Sequence, residues 1–196
     1  MKIYNHLDEN ILKEITKVLD NDGLIIFPTD TVYGIACNSY SDSAIKKLFA
    51  AKKRSLNKPI SVLTDSITKI NMMVESINDK EKELMDKYFP GNLTIIFNKK
   101  EHVSDILTSN NSTIGVRIPD NEIALKILSS YSYPLATTSA NISGESNGTE
   151  ISDFVDNFKD TVDIVIDGGK TTDIPSTIVR VEESEIKVLR EGSLKI

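Results

Sequence analysis

Cysteine and histidine are nearly absent from this chain, and their scarcity closes several routes. One cysteine, Cys37, in 196 residues cannot build a disulfide framework and fits a reducing cytoplasm. Following Ala36, it reads as a small apolar core residue rather than a nucleophile. His6 and His102 have no cysteine or second histidine nearby in sequence, so no metal cluster is expected. A Ser-His-Asp triad would have to draw on one histidine near the terminus or one in an expected loop, which argues against a triad hydrolase. Long apolar runs are also missing. Nothing approaches membrane-spanning length, and Met1 to Glu14 meets acidic residues early without the apolar stretch of a signal peptide. A basic excess is missing too: 23 Lys and Arg face 29 Asp and Glu, a net charge of −6, which argues against a general nucleic-acid binder. Glycine signatures for nucleotides are absent, with no G-x-G-x-x-G and no G-x-S-x-G. Asp167-Gly168-Gly169-Lys170-Thr171-Thr172 resembles the end of a P-loop, but Ile164 stands where that motif needs its first glycine.

What is present suits one sizeable domain, residues 1–196, with 39% hydrophobic and 27% charged residues. Asp8 can cap a helix carrying Ile11, Leu12, Ile15, Val18 and Leu19 at helical spacing, with Gly23 ending it. Strands are expected at Leu24–Phe27, Val32–Ala36, Ile60–Leu63, Leu93–Phe97, Thr113–Ile118, Leu135–Thr138, Val162–Ile166, Thr177–Val181 and Ile186–Leu189. Helices are expected from Ser41 or Asp42 through Phe49, and at Ser66–Glu75, Asp79–Tyr88, Asn121–Tyr131 and Ile151–Phe158. Lys99 to Asn111 is polar and reads as a mobile loop, and Ser139–Thr149 as a Ser-, Asn- and Gly-rich loop. Strands and helices alternate until a strand-rich end. The fold class expected is therefore α/β of the α+β kind, a twisted mixed sheet flanked by helices.

The chain is organised around Phe27-Pro28-Thr29-Asp30-Thr31-Val32-Tyr33-Gly34. Pro28 has no N–H for a ladder, so the strand before it must break. Small polar residues set between two buried strands need hydrogen-bond partners. Either the turn satisfies itself as an Asx- or ST-turn, or it binds a ligand. The theme recurs: short apolar strands end in hydroxyls or cations at Lys52-Lys53-Arg54 with Lys58-Pro59, at Thr113 to Pro119, and at Thr137 to Gly144. The Lys52–Lys58 stretch carries four cations and no acid. On an acidic protein that points to a small anionic ligand, although cations at a helix C-terminus are also what the macrodipole favours. Fixed cations and neutral hydroxyls without an evident general base suit nucleotidyl or phosphoryl transfer, in which charge is stabilised and reactants are aligned.

These residues carry a resemblance. Pro28-Thr29-Asp30-Thr31-Val32-Tyr33-Gly34, Lys52-x-Arg54 with Lys58-Pro59, Gly115-Val116-Arg117-Ile118-Pro119, Thr138-Ser139-Ala140-Asn141-Ile142-Ser143-Gly144, Pro175-Ser176-Thr177-Ile178-Val179 and Leu189-Arg190-Glu191-Gly192 follow one another in order. Together they resemble the YrdC-type threonylcarbamoyl-AMP synthase family in its single-domain form. The resemblance implies a twisted α/β fold with a large concave basic cavity. It implies L-threonine, bicarbonate and ATP as substrates, with Mg2+ carried on the nucleotide, and threonylcarbamoyl-adenylate and pyrophosphate as products. It further implies partner proteins that pass the threonylcarbamoyl group to a tRNA adenosine beside the anticodon. Carried over by position, Thr31, Arg117, Thr137 and Ser176 resemble the threonine-binding set. Arg54, Lys58, Thr113, Ser139, Asn147 and Arg190 resemble the ATP-binding set, and Lys52 with Arg54 the basic pair at the triphosphate. The chain departs from the family pattern at Ser55, where many members have proline, at Lys58, where many have asparagine, and at Leu63, where many have histidine. The competing readings are a double-stranded-RNA-binding module, with weak RNA binding, and a YrdC-like carbamoyl-transfer domain. The latter occurs in longer, cysteine-bearing chains.

Overall fold

Asp8 accepts hydrogen bonds from the backbone N–H of Asn10 and Ile11 and so starts the first helix. Ser41, Asn78 and Asn121 cap three later helices in the same way. The computed structural model describes Met1–Ile196. Its strands are β1 (Lys2–Tyr4), β2 (Ile25–Phe27), β3 (Gly34–Asn38), β4 (Ser61–Leu63), β5 (Leu93–Asn98), β6 (Thr113–Arg117), β7 (Leu135–Ser139), β8 (Ile164–Ile166), β9 (Thr177–Glu182) and β10 (Glu185–Arg190). The helices are α1 (Glu9–Asp20), α2 (Asp42–Ala51), α3 (Ile67–Met73), α4 (Asp79–Tyr88), α5 (Asp105–Thr108), α6 (Glu122–Ser130) and α7 (Val155–Phe158). No helix is long and apolar enough to cross a membrane.

All ten strands join one mixed sheet in the order β1-β8-β2-β3-β7-β4-β6-β5-β9-β10. Strand alternation gives this sheet two unlike faces. Ile26, Ile35, Cys37, Val62, Ile95, Phe97, Ile114, Val116 and Val179 join one apolar layer with Ile45 and Leu48 of α2, Ile70 and Met73 of α3, and Leu84 and Met85 of α4. The opposite face is covered only in part. There Ile11, Ile15 and Leu19 of α1 and Ala124, Ile127 and Leu128 of α6 pack on Ile25, Phe27, Ala36, Leu63, Leu135, Ile164 and Ile166. No residue of β5, β6 or β9 belongs to this second cluster. On that uncovered part hydroxyl and small residues are set among a few apolar ones: Thr137 beside Ser61, then Gly115 beside Ile96, and Thr94 beside Ile178.

Several sequence expectations shift. β1 was not foreseen; three residues beside β8 are too few to show a period. The first helix ends at Asn21, and the left-handed residue beyond it is Asp22 (φ 58) rather than Gly23. The expected loop from Lys99 to Asn111 is structured: it contains α5, buries Val103, Leu107 and Thr108, and pairs Lys99 with Asp105. Residues 151–158 form a 3-10 turn at Ile151–Asp153 and then α7, not one helix. The strands of the C-terminal third also separate, because β8 lies near one edge of the sheet and β9 near the other.

Ile15 is fully buried under α1, and truncating such a side chain leaves an unfilled cavity. Ile15→Ala should lower the unfolding free energy by about 2–5 kcal/mol, measured by urea denaturation.

Candidate functional site

The polar turn after β2 first satisfies itself. Thr29 Oγ1 donates to the Val32 carbonyl at 2.7 Å and accepts from the Thr31 N–H at 3.2 Å. With its proton committed, Thr29 can only accept from Thr31 Oγ1, 3.0 Å away. Thr31 Oγ1 in turn accepts from Arg117 Nη1 at 2.8 Å. The result is a one-way chain of hydrogen bonds from the guanidinium into the turn. Arg117 ends β6, and only 5% of it is exposed. Its Nε donates to the Gly91 carbonyl at 2.8 Å, and its Nη2 to Asp30 Oδ1 at 2.5 Å. Burial pulls the Arg117 pKa down, and the Asp30 carboxylate opposes that pull. Three of five N–H donors are engaged, which leaves two for a ligand.

A second arginine is fixed from the far end of the chain. The β9–β10 register shifts between Val188 and Arg190, so that Arg190 pairs with Ile178. Arg190 donates from Nε and Nη2 to the Ser176 carbonyl at 3.1 and 2.7 Å, and from Nη2 to Ser176 Oγ at 3.1 Å. Ser176 Oγ also lies 2.8 Å from Thr94 Oγ1. A third arginine, Arg54, donates to the carbonyls of Lys58 and Pro59 at 3.0 and 2.9 Å. Burial lowers the pKa of both Arg54 and Arg190, and the charge of Arg54 lowers that of Arg190 further.

These groups surround a cavity of about 270 Å³ on the uncovered part of the sheet. Of the residues expected from the sequence, Thr31, Arg54, Arg117, Thr137, Ser139, Asn147, Ser176 and Arg190 line it. Lys52, Lys58 and Thr113 do not. Lys52 caps α2, is 1% exposed, and donates to the Ser139 carbonyl and, at 3.1 Å, to Asn141 Oδ1. It therefore clamps the turn that presents Ser139, whose Oγ shares Asn141 Oδ1 at 2.5 Å. The Lys58 side chain is exposed, and its carbonyl takes part by holding Arg54. Thr113 shares the face of β6 with Gly115 and Arg117 but stands outside the lining. Thr137 donates its hydroxyl to the Leu135 carbonyl, so toward a ligand it can only accept. Its Cγ2 would lie 2.8 Å from a Cβ at Gly34, which explains the glycine there. Sequence reasoning missed Thr29, Ser61 and Thr94, which also line the cavity. The available signal was a lone hydroxyl in an otherwise apolar strand at Ser61 and Thr94, and a threonine in the turn after β2 at Thr29. Leu63 lines the cavity where many members of the resembling family have histidine, so this wall is apolar. No Asp, Glu, His, Lys or Cys is among the lining residues.

Residues Asp167–Ser176 join β8 to β9 and form a strap over this face. Tyr33 Oη donates to the Gly169 carbonyl at 2.7 Å and accepts from the Gly168 N–H. Thr172 Oγ1 donates to the Thr31 carbonyl at 2.7 Å, and Asn147 Nδ2 to the Asp173 carbonyl at 3.2 Å.

Residues 17–192 match the Sua5/YciO/YrdC family model, described as telomere recombination. The chain belongs to the Sua5/YciO/YrdC family. It is 38% identical over its whole length to a putative threonylcarbamoyl-AMP synthase of Methanocaldococcus jannaschii, covering 94% of that protein. It is 33% identical over 88% of its length to the threonylcarbamoyl-AMP synthase of Pyrococcus abyssi, of which it spans only 51%. The structure of P. abyssi Sua5 complexed with L-threonine has a TM-score of 0.94 at 31% identity, covering 99% of this chain and 58% of that one.

Burial, with a smaller contribution from Arg54, pulls the Lys52 pKa from the ordinary 10.5 down to about 7. Between those values the unfolded chain binds more protons than the folded one, so stability rises with pH from about 7 toward 10. Lys52→Met should flatten that rise by up to about 1.4 kcal/mol per pH unit. Urea midpoints of both proteins at pH 7 and pH 9 measure it, and equal rises would place the proton elsewhere.

Proposed function

We propose that this chain is a threonylcarbamoyl-AMP synthase, joining L-threonine, bicarbonate and ATP into threonylcarbamoyl-adenylate with release of pyrophosphate. The observation that carries this reading is a cavity where Arg54, Arg117 and Arg190 converge with neutral hydroxyls and no carboxylate or imidazole. Such a lining offers no side chain to remove a proton during the transfer step. It suits a nucleophile that arrives already as an anion, and the carbamate formed from threonine's amine and bicarbonate is one. The carbamate oxygen attacks the α-phosphorus and the bond to pyrophosphate breaks, while fixed cations hold the charge that builds there.

Arg117, Thr31, Thr137 and Ser176 are assigned to threonine. The two unengaged Arg117 N–H groups would meet its carboxylate, a planar pairing that arginine favours. The acceptor on Thr137 and the methyls of Leu63 would read its hydroxyl and methyl. Arg54, Arg190, Ser139 and Asn147 are assigned to ATP. Lys52 and Lys58 act one step removed, the first through the Ser139–Asn141 turn and the second through its carbonyl on Arg54. Thr113 would reach only a part of the nucleotide extending past the cavity. No group of three or more His, Cys, Asp or Glu side chains is placed to hold a metal, so Mg2+ would come bound to the triphosphate as part of the substrate. Handing the product to proteins that modify a tRNA adenosine completes the reading.

Pyrophosphate release should require threonine, bicarbonate and ATP together, and release without threonine would refute the assignment. Arg54→Ala or Arg190→Ala should each weaken ATP binding by about 10- to 100-fold, the loss of one charge-assisted contact, as measured by calorimetry. Threonine should be favoured over valine by roughly a hundredfold in kcat/KM, because valine leaves a polar pocket unpaired.

A further inference from the structure

The three arginines of the cavity differ in one respect. Arg117 faces a carboxylate, Asp30, at 2.5 Å with both side chains largely buried. Arg54 and Arg190 form no ion pair and rest on backbone carbonyls. The charge of Arg54 disfavours the protonated forms of both Arg190 and Lys52, with no acid acting to offset it. Asp30 itself stays behind Arg117, outside the cavity lining. The cavity thus has one end where positive charge is balanced and one where it is not.

We propose that Asp30 is the specificity-determining residue that sorts two anions within this one cavity. The inference rests on the threonylcarbamoyl-AMP synthase reading and deepens it. A cation without a counter-charge attracts the most highly charged anion present, even where, as at Arg54 and Arg190, it is partly open to solvent. With three such arginines in one cavity, a polyphosphate would occupy both ends and shut out the amino acid. Asp30 sets an opposite charge against that of Arg117. That end then offers directed N–H donors with little net charge, which suits the carboxylate of a zwitterion. The polyphosphate is left to the Arg54–Arg190 end, where nothing opposes it. Asp30 also has a stake in position, since Arg117 is held in plane by Asp30, Thr31 and Gly91 together.

The test uses inorganic pyrophosphate as the polyanion and calorimetric titration of the full chain with L-threonine. In the unaltered protein, saturating pyrophosphate should leave threonine affinity within about twofold, because the two occupy different ends. In Asp30→Asn, which keeps the shape and removes the charge, pyrophosphate should compete with threonine and weaken its apparent affinity by about tenfold or more. Asp30→Glu, which keeps the charge, should restore independence. Competition between pyrophosphate and threonine in the unaltered protein would overturn the proposal, and this arm does not depend on any variant folding. Independence that survives in a folded Asp30→Asn protein would overturn it as well. An unaltered protein that binds no threonine at all would overturn the synthase reading and the proposal with it, an outcome distinct from the other two.

Discussion

The pairing of Arg117 with Asp30 is the contact on which the site depends. A guanidinium this deeply buried is costly unless it is neutralised and its donors are filled. Here the partners come from two separate stretches: Asp30 and Thr31 in the turn after β2, and the Gly91 carbonyl just before β5. One side chain on β6 therefore fixes the turn against the far half of the sheet. The hydroxyl chain from Thr31 through Thr29 to the Val32 carbonyl carries that order further. Hydroxyl orientations are set before a ligand arrives, so little rearrangement is needed when it does.

The sheet supports this by treating its two faces differently. One face is apolar across nearly its whole width and is sealed by α2, α3 and α4. The other is apolar only where α1 and α6 cover it, and beyond them it turns to threonine, serine, glycine and arginine. Two helices too few to cover ten strands leave a concave polar patch, and the cavity is that uncovered remainder. Stability and binding are thus kept on different sides of the same strands. A residue such as Val116 serves the core while its neighbour Arg117 serves the site.

Much of this was legible in the sequence. Asp8 and Ser41 mark helix starts through local hydrogen bonds that need no tertiary context. Pro28 marks the end of β2 because it cannot donate to a ladder. The mixed sheet follows from helix–strand alternation with a hairpin at the end. Eight of the expected site residues line one cavity on the uncovered face of the sheet. What was not legible depends on long-range geometry. Nothing local shows that Lys52 points inward to Ser139 and Asn141 while Arg54 points to the cavity. Thr94 and Ser61 look like ordinary strand hydroxyls until the register places them beside Ser176 and Gly115. The Lys99–Asn111 stretch is polar, yet Val103 and Leu107 anchor it, and two buried apolar side chains are too few to show a period.

The strap from Asp167 to Ser176 has a mechanical consequence. Its ends are attached to β8 and β9, which stand seven intervals apart in the sheet. Strands spaced by about 4.8 Å would set those ends roughly 34 Å apart in a flat sheet, close to the full reach of the ten linking residues at about 3.3–3.6 Å each. The strap is not at full reach, because it bends at Gly169 (φ 80) and folds back on itself where Thr172 Oγ1 meets the Ile174 carbonyl. A bent strap of this length joins β8 to β9 only if the sheet curves so that their ends approach each other, as twisted sheets do. The strap thus does two things at once: it spans the curved sheet, and at Pro175 and Ser176 it becomes part of the cavity wall.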